Sequence, residues 1–137
     1  MIEKFVIDNW ALIAVAVSSG AMLLWPLIAA SRSGARLSTL QATQLINQRD
    51  ALVIDIRDQA DYARGHIANA KNFPDKVFEE RKVELNKLKD TPVIVSCDTG
   101  MRAGASADKL RALGIKEVFT LQGGLNAWRD AGLPVSK

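Results

Sequence analysis

The sequence predicts a parallel α/β sheet with helices on both of its faces. Short apolar runs at 51–56, 93–95 and 117–121 are typical of strands buried inside a parallel sheet. Between them lie segments whose apolar residues recur at helical spacing. Strands that alternate with helices in this way form an open parallel sheet. A chain of 137 residues suits one such domain.

An uncharged run of twenty-one residues, Trp10–Ala30, predicts a single transmembrane helix before the sheet. Trp10 and Trp25 are about 22 Å apart at helical rise, which suits the two interfacial belts of a bilayer. A cleaved signal peptide and a buried core helix are the alternatives, and the length of the run argues against both. We expect residues 1–30 to anchor the chain and residues 31–36 to form a polar linker.

The charges beside the predicted span indicate its orientation. Arg32 and Arg36 follow the span, whereas Lys4 precedes it together with two acidic residues. The positive-inside rule therefore predicts a cytoplasmic C-terminal domain. Cys97 is the only cysteine, which excludes an internal disulfide, and a free thiol suits the reducing cytoplasm.

Helices in the C-terminal domain are predicted from apolar spacing and capping residues. Ser38 is the candidate N-cap of the first one, with Leu40, Ala42, Leu45 and Ile46 as its apolar stripe. Segment 65–74 is predicted as irregular or short-stranded. The remaining predicted helices are 58–63, a charged amphipathic helix at 75–89, 103–113, and a short helix after Gly123 and Gly124.

The stretch 92–104 carries the candidate chemistry. Cys97 follows a strand, and the loop Cys97–Arg102 leads into a helix, which is where open α/β sheets keep their ligand sites. Converging backbone amides, the helix dipole and Arg102 would favour an anion there, including the nucleophilic thiolate. The alternative is an inert buried thiol, which the position of Cys97 on this loop makes the weaker interpretation.

The other residues of this loop are predicted to act mainly through their backbone. The Thr99 hydroxyl is expected either to donate a hydrogen bond to the bound anion or to stabilise the loop. Arg102 is expected either to bind the anion or to pin the loop to the domain. The amides predicted to form an anion cradle belong to Asp98, Thr99, Gly100, Met101 and Arg102.

From Leu37 to Pro134 the sequence resembles a single rhodanese domain. The resemblance rests on Asp55-Ile-Arg57 followed by 61–74 with its Gly-His-Ile, on the loop 97–102, and on Gly123-Gly124 with Trp128, Gly132 and Pro134. We assign residues 37–137 to this domain. With its N-terminal span, the chain resembles bacterial inner-membrane-anchored single-domain rhodaneses.

The resemblance implies sulfurtransferase chemistry without a cofactor. A donor, thiosulfate or a persulfide, passes sulfur to Cys97, and a thiophilic acceptor removes it from the resulting persulfide. In this family a six-residue loop fits sulfur, while a longer loop serves phosphatases and arsenate reductases. The expected partners are a small sulfur donor, a thiol acceptor, the membrane and an unidentified protein.

Three further residues bear on the expected sulfurtransferase chemistry. Many family members have a basic or neutral residue where Asp98 stands, so its carboxylate is expected to repel thiosulfate dianion and favour a persulfide donor, unless it points to solvent. His66 is the single histidine and a candidate for the pocket, but the resemblance favours a structural role for it. The resemblance implies that Arg57 either ties the strand end to the backbone or lines the pocket.

The composition argues against nucleic-acid binding and metal binding. The net charge is +3, and basic and acidic residues are nearly balanced from Leu37 onward, which gives no support for nucleic-acid binding. One histidine and one cysteine offer no metal-binding constellation. Two classes remain, a sulfurtransferase and a membrane-tethered rhodanese-like binding module with weak or no activity.

Overall fold

Two units make up the chain, Met1–Ser33 and Gly34–Lys137. The computed structural model describes residues 1–32 and 36–137, and describes the side chains of these residues except at 26–32. Of the predicted linker, residues 31–32 continue the N-terminal helix and Arg36 belongs to the first strand. Residues 33–35 lie outside the described residues.

The N-terminal unit is helical, with α1 at Ile2–Asp8 and α2 at Trp10–Arg32. The sequence analysis did not predict α1. Among the described side chains, no single helix is long and apolar enough to cross a membrane. Helix α1 and residues 10–25 of α2 meet that test together, with a bend of 79° between them. The anchor therefore stays a prediction.

A parallel sheet lies at the centre of the C-terminal unit, as the sequence predicts, and it has five strands among the described residues. The strands of this unit are β1 at Arg36–Leu37, β2 at Leu52–Asp55, β3 at His66–Ile67, β4 at Lys71–Asn72, β5 at Val93–Ser96, β6 at Val118–Leu121 and β7 at Val135–Ser136. The strand order of the sheet is β1-β6-β5-β2-β4, and a separate antiparallel pair joins β3 to β7.

Helices cover both faces of this sheet. Along β5, Val93 and Val95 enter one core cluster and Ile94 enters the other, because successive strand residues point to opposite faces. The helices are α3 at Thr39–Arg49, α4 at Gln59–Arg64, α5 at Lys82–Asn86, α6 at Ala103–Ala112 and α7 at Gly124–Asp130. Side chains of α5 and α6 fill the first cluster, and those of α3, α4 and α7 fill the second.

The first helix of this unit begins as predicted. The Ser38 hydroxyl accepts from the Gln41 backbone N–H, and the Gln41 side chain accepts from the Ser38 N–H, which completes a capping box. Ala42 is fully buried, but Leu40 is 67% exposed, so its place in the predicted apolar stripe is wrong. Residues two apart on a helix lie on different faces, and Ala42 takes the inner one.

The predicted single helix at 75–89 is also wrong. A 3₁₀ turn at Asp75–Val77 is followed by the short α5. Between them, the Arg81 guanidinium stacks 3.9 Å from the Phe73 ring centre and donates to the Asn72 carbonyl at 2.9 Å. These tertiary contacts hold the chain at Arg81, whose backbone is not helical.

Candidate active site

Cys97 follows the last residue of β5, at the carboxyl edge of the sheet. It is 2% exposed and belongs to the same core cluster as Val95 and Ala103. The Gly100 backbone N–H donates to Cys97 Sγ at 3.0 Å. A sulfur that accepts a backbone hydrogen bond is stabilised as an anion. Of the five amides predicted to form an anion cradle, the Gly100 amide donates to the sulfur. The roles of the other four amides stay predictions.

The active-site loop, residues 97–102, rests on the first turn of α7. The N–H of Leu125 donates to the Cys97 carbonyl at 2.8 Å, and the N–H of Asn126 donates to the Asp98 carbonyl at 3.1 Å. The close contact between α7 and the loop requires a glycine at position 124. A Cβ on Gly124 would overlap the Cys97 carbonyl oxygen and would lie 2.8 Å from the Asp98 carbonyl oxygen. Gly124 also has a φ of +56°, which favours glycine.

Arg57 links the end of β2 to the active-site loop. Its guanidinium is 5% exposed and pairs with Asp55 at 2.7 Å, donates to the Gly65 carbonyl at 2.7 Å, and reaches Asp98 at 3.4 Å. Burial lowers the Arg57 pKa, but the hydrogen bond and charge of Asp55, with a smaller contribution from Asp98, outweigh it and raise the pKa. Arg57 therefore carries a permanent positive charge beneath Asp98.

We expect Arg57→Met to destabilise the fold strongly. Methionine removes the partner of the Asp55 carboxylate, which is only 4% exposed. Leaving one member of a buried ion pair uncompensated typically costs about 3–5 kcal/mol. Urea unfolding of the full chain in detergent measures this loss, with the exposed Arg64→Met as the matched control. A loss below about 1 kcal/mol, the range of exposed pairs, would contradict the account.

The charged residues of the active-site loop remain largely at the surface. The Asp98 side chain is 59% exposed, and Arg102 is 56% exposed with its guanidinium 3.9 Å from the Asp75 carboxylate. Thr99 is exposed, and Met101 is 90% exposed. Both charged side chains therefore lie on the exposed side of the loop, which we call its mouth, whereas Cys97 is buried.

His66 is held away from this chemistry. Its ring stacks on Tyr62 at 3.7 Å, and its Nδ1 lies 2.9 Å from the Tyr62 carbonyl. Its strand pairs with Ser136 of β7. Within the described part of the chain, no hydrogen bond or ring contact joins His66 to the active-site loop. These contacts favour a structural role for His66, which stays a prediction.

Comparison with known proteins identifies the family of this chain. The family model described as rhodanese-like domain matches residues 38–131. Since this match covers more than half of the chain, the protein belongs to the rhodanese-like family. The resemblance in the sequence motifs is therefore confirmed.

Two relatives and one solved structure illustrate what this chain is similar to. The protein YibN of Escherichia coli (strain K12) is 40% identical over 96 residues, which cover 69% of this chain and 67% of YibN. Thiosulfate sulfurtransferase GlpE of Coxiella burnetii (strain RSA 493 / Nine Mile phase I) is 36% identical over 94 residues, covering 69% and 86%. The crystal structure of a rhodanese-related protein from Thermoplasma volcanium superimposes with a TM-score of 0.65 at 27% identity, covering 74% and 96%.

Proposed function

We propose that this protein is a sulfurtransferase that carries sulfane sulfur on Cys97. The Cys97 thiolate attacks the outer sulfur of thiosulfate or of a persulfide, and sulfite or a thiolate leaves with the bonding electron pair. A thiophilic acceptor then attacks the outer sulfur of the Cys97 persulfide, and Cys97 leaves as the thiolate. The two steps balance without an added oxidant or cofactor.

The observation that supports this proposal best is the hydrogen bond from the Gly100 N–H to Cys97 Sγ. It stabilises negative charge on sulfur, which both half-reactions need at this atom. Relatives that include a thiosulfate sulfurtransferase support the same chemistry. The binding-module alternative has no comparable observation in its favour.

Steady-state kinetics test the proposal. A covalent persulfide between two half-reactions predicts ping-pong kinetics, with parallel double-reciprocal lines when donor and acceptor concentrations are varied. Cyanide serves as the test acceptor, and thiosulfate or a low-molecular-weight persulfide serves as the donor. Intersecting lines, or no transfer with either donor, would contradict the proposal.

Asp98 is expected to set the choice of donor. Its carboxylate is exposed at the mouth of the loop, and Arg57 at 3.4 Å offsets its charge only in part. The Asp98→Asn substitution removes the repulsion between this carboxylate and thiosulfate dianion. It should therefore raise kcat/KM for thiosulfate roughly fivefold at low ionic strength. Salt should erase most of this gain.

The matched control for this prediction is Asp130→Asn at the end of α7, which removes the same charge outside the loop. It should leave kcat/KM for thiosulfate unchanged. An equal gain in both variants, or a gain in Asp98→Asn that is insensitive to salt, would contradict the role assigned to Asp98.

We further propose that the N-terminal unit anchors the protein in the bacterial inner membrane as a single span, with the C-terminal unit in the cytoplasm. The uncharged run from Trp10 to Ala30 and the following Arg32 and Arg36 support this proposal. An integral anchor should remain with the membrane fraction after alkaline extraction. Release into the supernatant would contradict it. The protein partner expected from the sequence remains a proposal with no assigned surface.

A further inference from the structure

A cavity of about 100 Å³ lies beside the active-site loop. Cys97 is not among its walls, but Gly100, whose N–H donates to Cys97 Sγ, is shared by the cavity and the sulfur site. The polar side chains of the cavity come from four places in the C-terminal unit. They belong to Arg36 of β1, Thr120 of β6, Gln122 of the following turn and Thr99 of the loop.

The side chains that line this cavity have no partners among the described residues. Arg36 makes no ion pair or hydrogen bond there, and the Thr120 hydroxyl makes none although Thr120 is only 6% exposed. Arg36 is exposed, and the Thr120 hydroxyl reaches the cavity, so both groups are available to a ligand there. One cation and one hydroxyl without a described partner therefore favour a small ligand with one negative charge.

Two residues of the cavity, Arg36 and Thr120, lie on the same face of the sheet as Cys97. Thr120 pairs in register with Val95 on one side and with Arg36 on the other. Cys97 comes two residues after Val95 and shares its core cluster, so its side chain points to that same face. From the usual strand spacing and rise, the Cα atoms of Thr120 and Cys97 are roughly 8 Å apart.

We propose that this cavity binds the carboxylate of the thiol that accepts sulfur from Cys97. The inference rests on the proposed function. A guanidinium binds a carboxylate through two parallel hydrogen bonds, and the single charge of Arg36 matches a single carboxylate. A cavity of about 100 Å³ has room for that group with one or two carbons. A thiol a few carbons from the carboxylate would extend from the cavity toward the sulfur.

The transfer step then follows from where the acceptor is held. The acceptor thiolate attacks the outer sulfur of the Cys97 persulfide, and a new S–S bond forms as the existing one breaks. The electron pair returns to Cys97 Sγ, where the Gly100 N–H stabilises the thiolate. The acceptor leaves as a persulfide that still carries its carboxylate.

Two acceptors that differ in this group test the proposal on the full chain in detergent. With wild-type protein, 3-mercaptopropionate should have a kcat/KM about tenfold above that of 2-mercaptoethanol, the usual worth of one charge-assisted interaction. The ratio should fall to near one in Arg36→Gln. It should stay near ten in Arg64→Gln, which removes an exposed charge from α4. An equal ratio in wild type and Arg36→Gln would overturn the proposal.

A binding measurement separates this inference from the proposed function. Propionate carries the carboxylate without a thiol, so it reports on the cavity whether or not sulfur transfer occurs. It should shift the amide NMR signals of Gly100 and Gly123, which line the cavity, in the wild type but not in Arg36→Gln. The absence of any shift in the wild type would overturn the carboxylate site, even in a protein that transfers sulfur.

Discussion

Cys97→Ser should abolish sulfur transfer, with kcat/KM reduced by about 1,000-fold or more with every donor. Serine fits the space of the thiol and can accept the same hydrogen bond from the Gly100 N–H. It does not ionise as a thiol does, and its oxygen forms no persulfide. Initial rates of thiocyanate formation from thiosulfate and cyanide measure the loss.

The control for Cys97→Ser is the unfolding midpoint of the two proteins. Since Cys97 is 2% exposed within a core cluster, exchanging sulfur for oxygen should change stability far less than activity. A folded Cys97→Ser protein that retains more than a few per cent of wild-type transfer would show that another group carries the sulfur.

Gly124→Ala should reduce transfer roughly 100-fold, the cost of misplacing a reacting group by about 1 Å. A methyl group at this position would overlap the Cys97 carbonyl oxygen and would meet a backbone conformation that suits glycine. The active-site loop must then move away from α7 and lose the hydrogen bonds from Leu125 and Asn126. Transfer from thiosulfate to cyanide measures the effect.

Two glycines serve as matched controls for Gly124→Ala. Gly104→Ala adds a methyl group in the first turn of α6, where nothing lies within 4 Å of it. Gly114→Ala adds a methyl group in open space at a φ of +104°. It therefore tests the effect of backbone strain without a steric overlap. Both should keep near-wild-type transfer. Equal losses in Gly114→Ala and Gly124→Ala would show that strain alone, and not the contact with the active-site loop, explains the effect.

The parts of this protein that the sequence predicts well are those set by local signals. The capping box at Ser38 depends on residues three apart, and the apolar run of β5 is long enough to identify the strand. Because Cys97 follows that strand directly, its place at the sheet edge also follows from the sequence. The anion cradle stays a prediction, and among the described contacts the Gly100 N–H is the amide that donates to Sγ.

Contacts between distant residues account for what the sequence did not predict. The ion pair of Arg57 with Asp98 joins residues 41 positions apart, and no local pattern reports it. Strand β1 has two residues, too few for a periodicity, so Arg36 was assigned to the linker. Gly124 was recognised as part of a family signature, whereas its physical reason, the close approach of α7 to the loop, required the fold.

The intact mass of the 137-residue chain after exposure to a sulfur donor tests the central claim most directly. We predict a gain of one sulfur atom with a low-molecular-weight persulfide and a smaller yield with thiosulfate, since Asp98 stands exposed at the mouth of the loop. The added mass should disappear with a reductant and should be absent from Cys97→Ser. No gain with either donor, in protein whose Cys97 can still be alkylated, would contradict the assignment of this cysteine as the sulfur carrier.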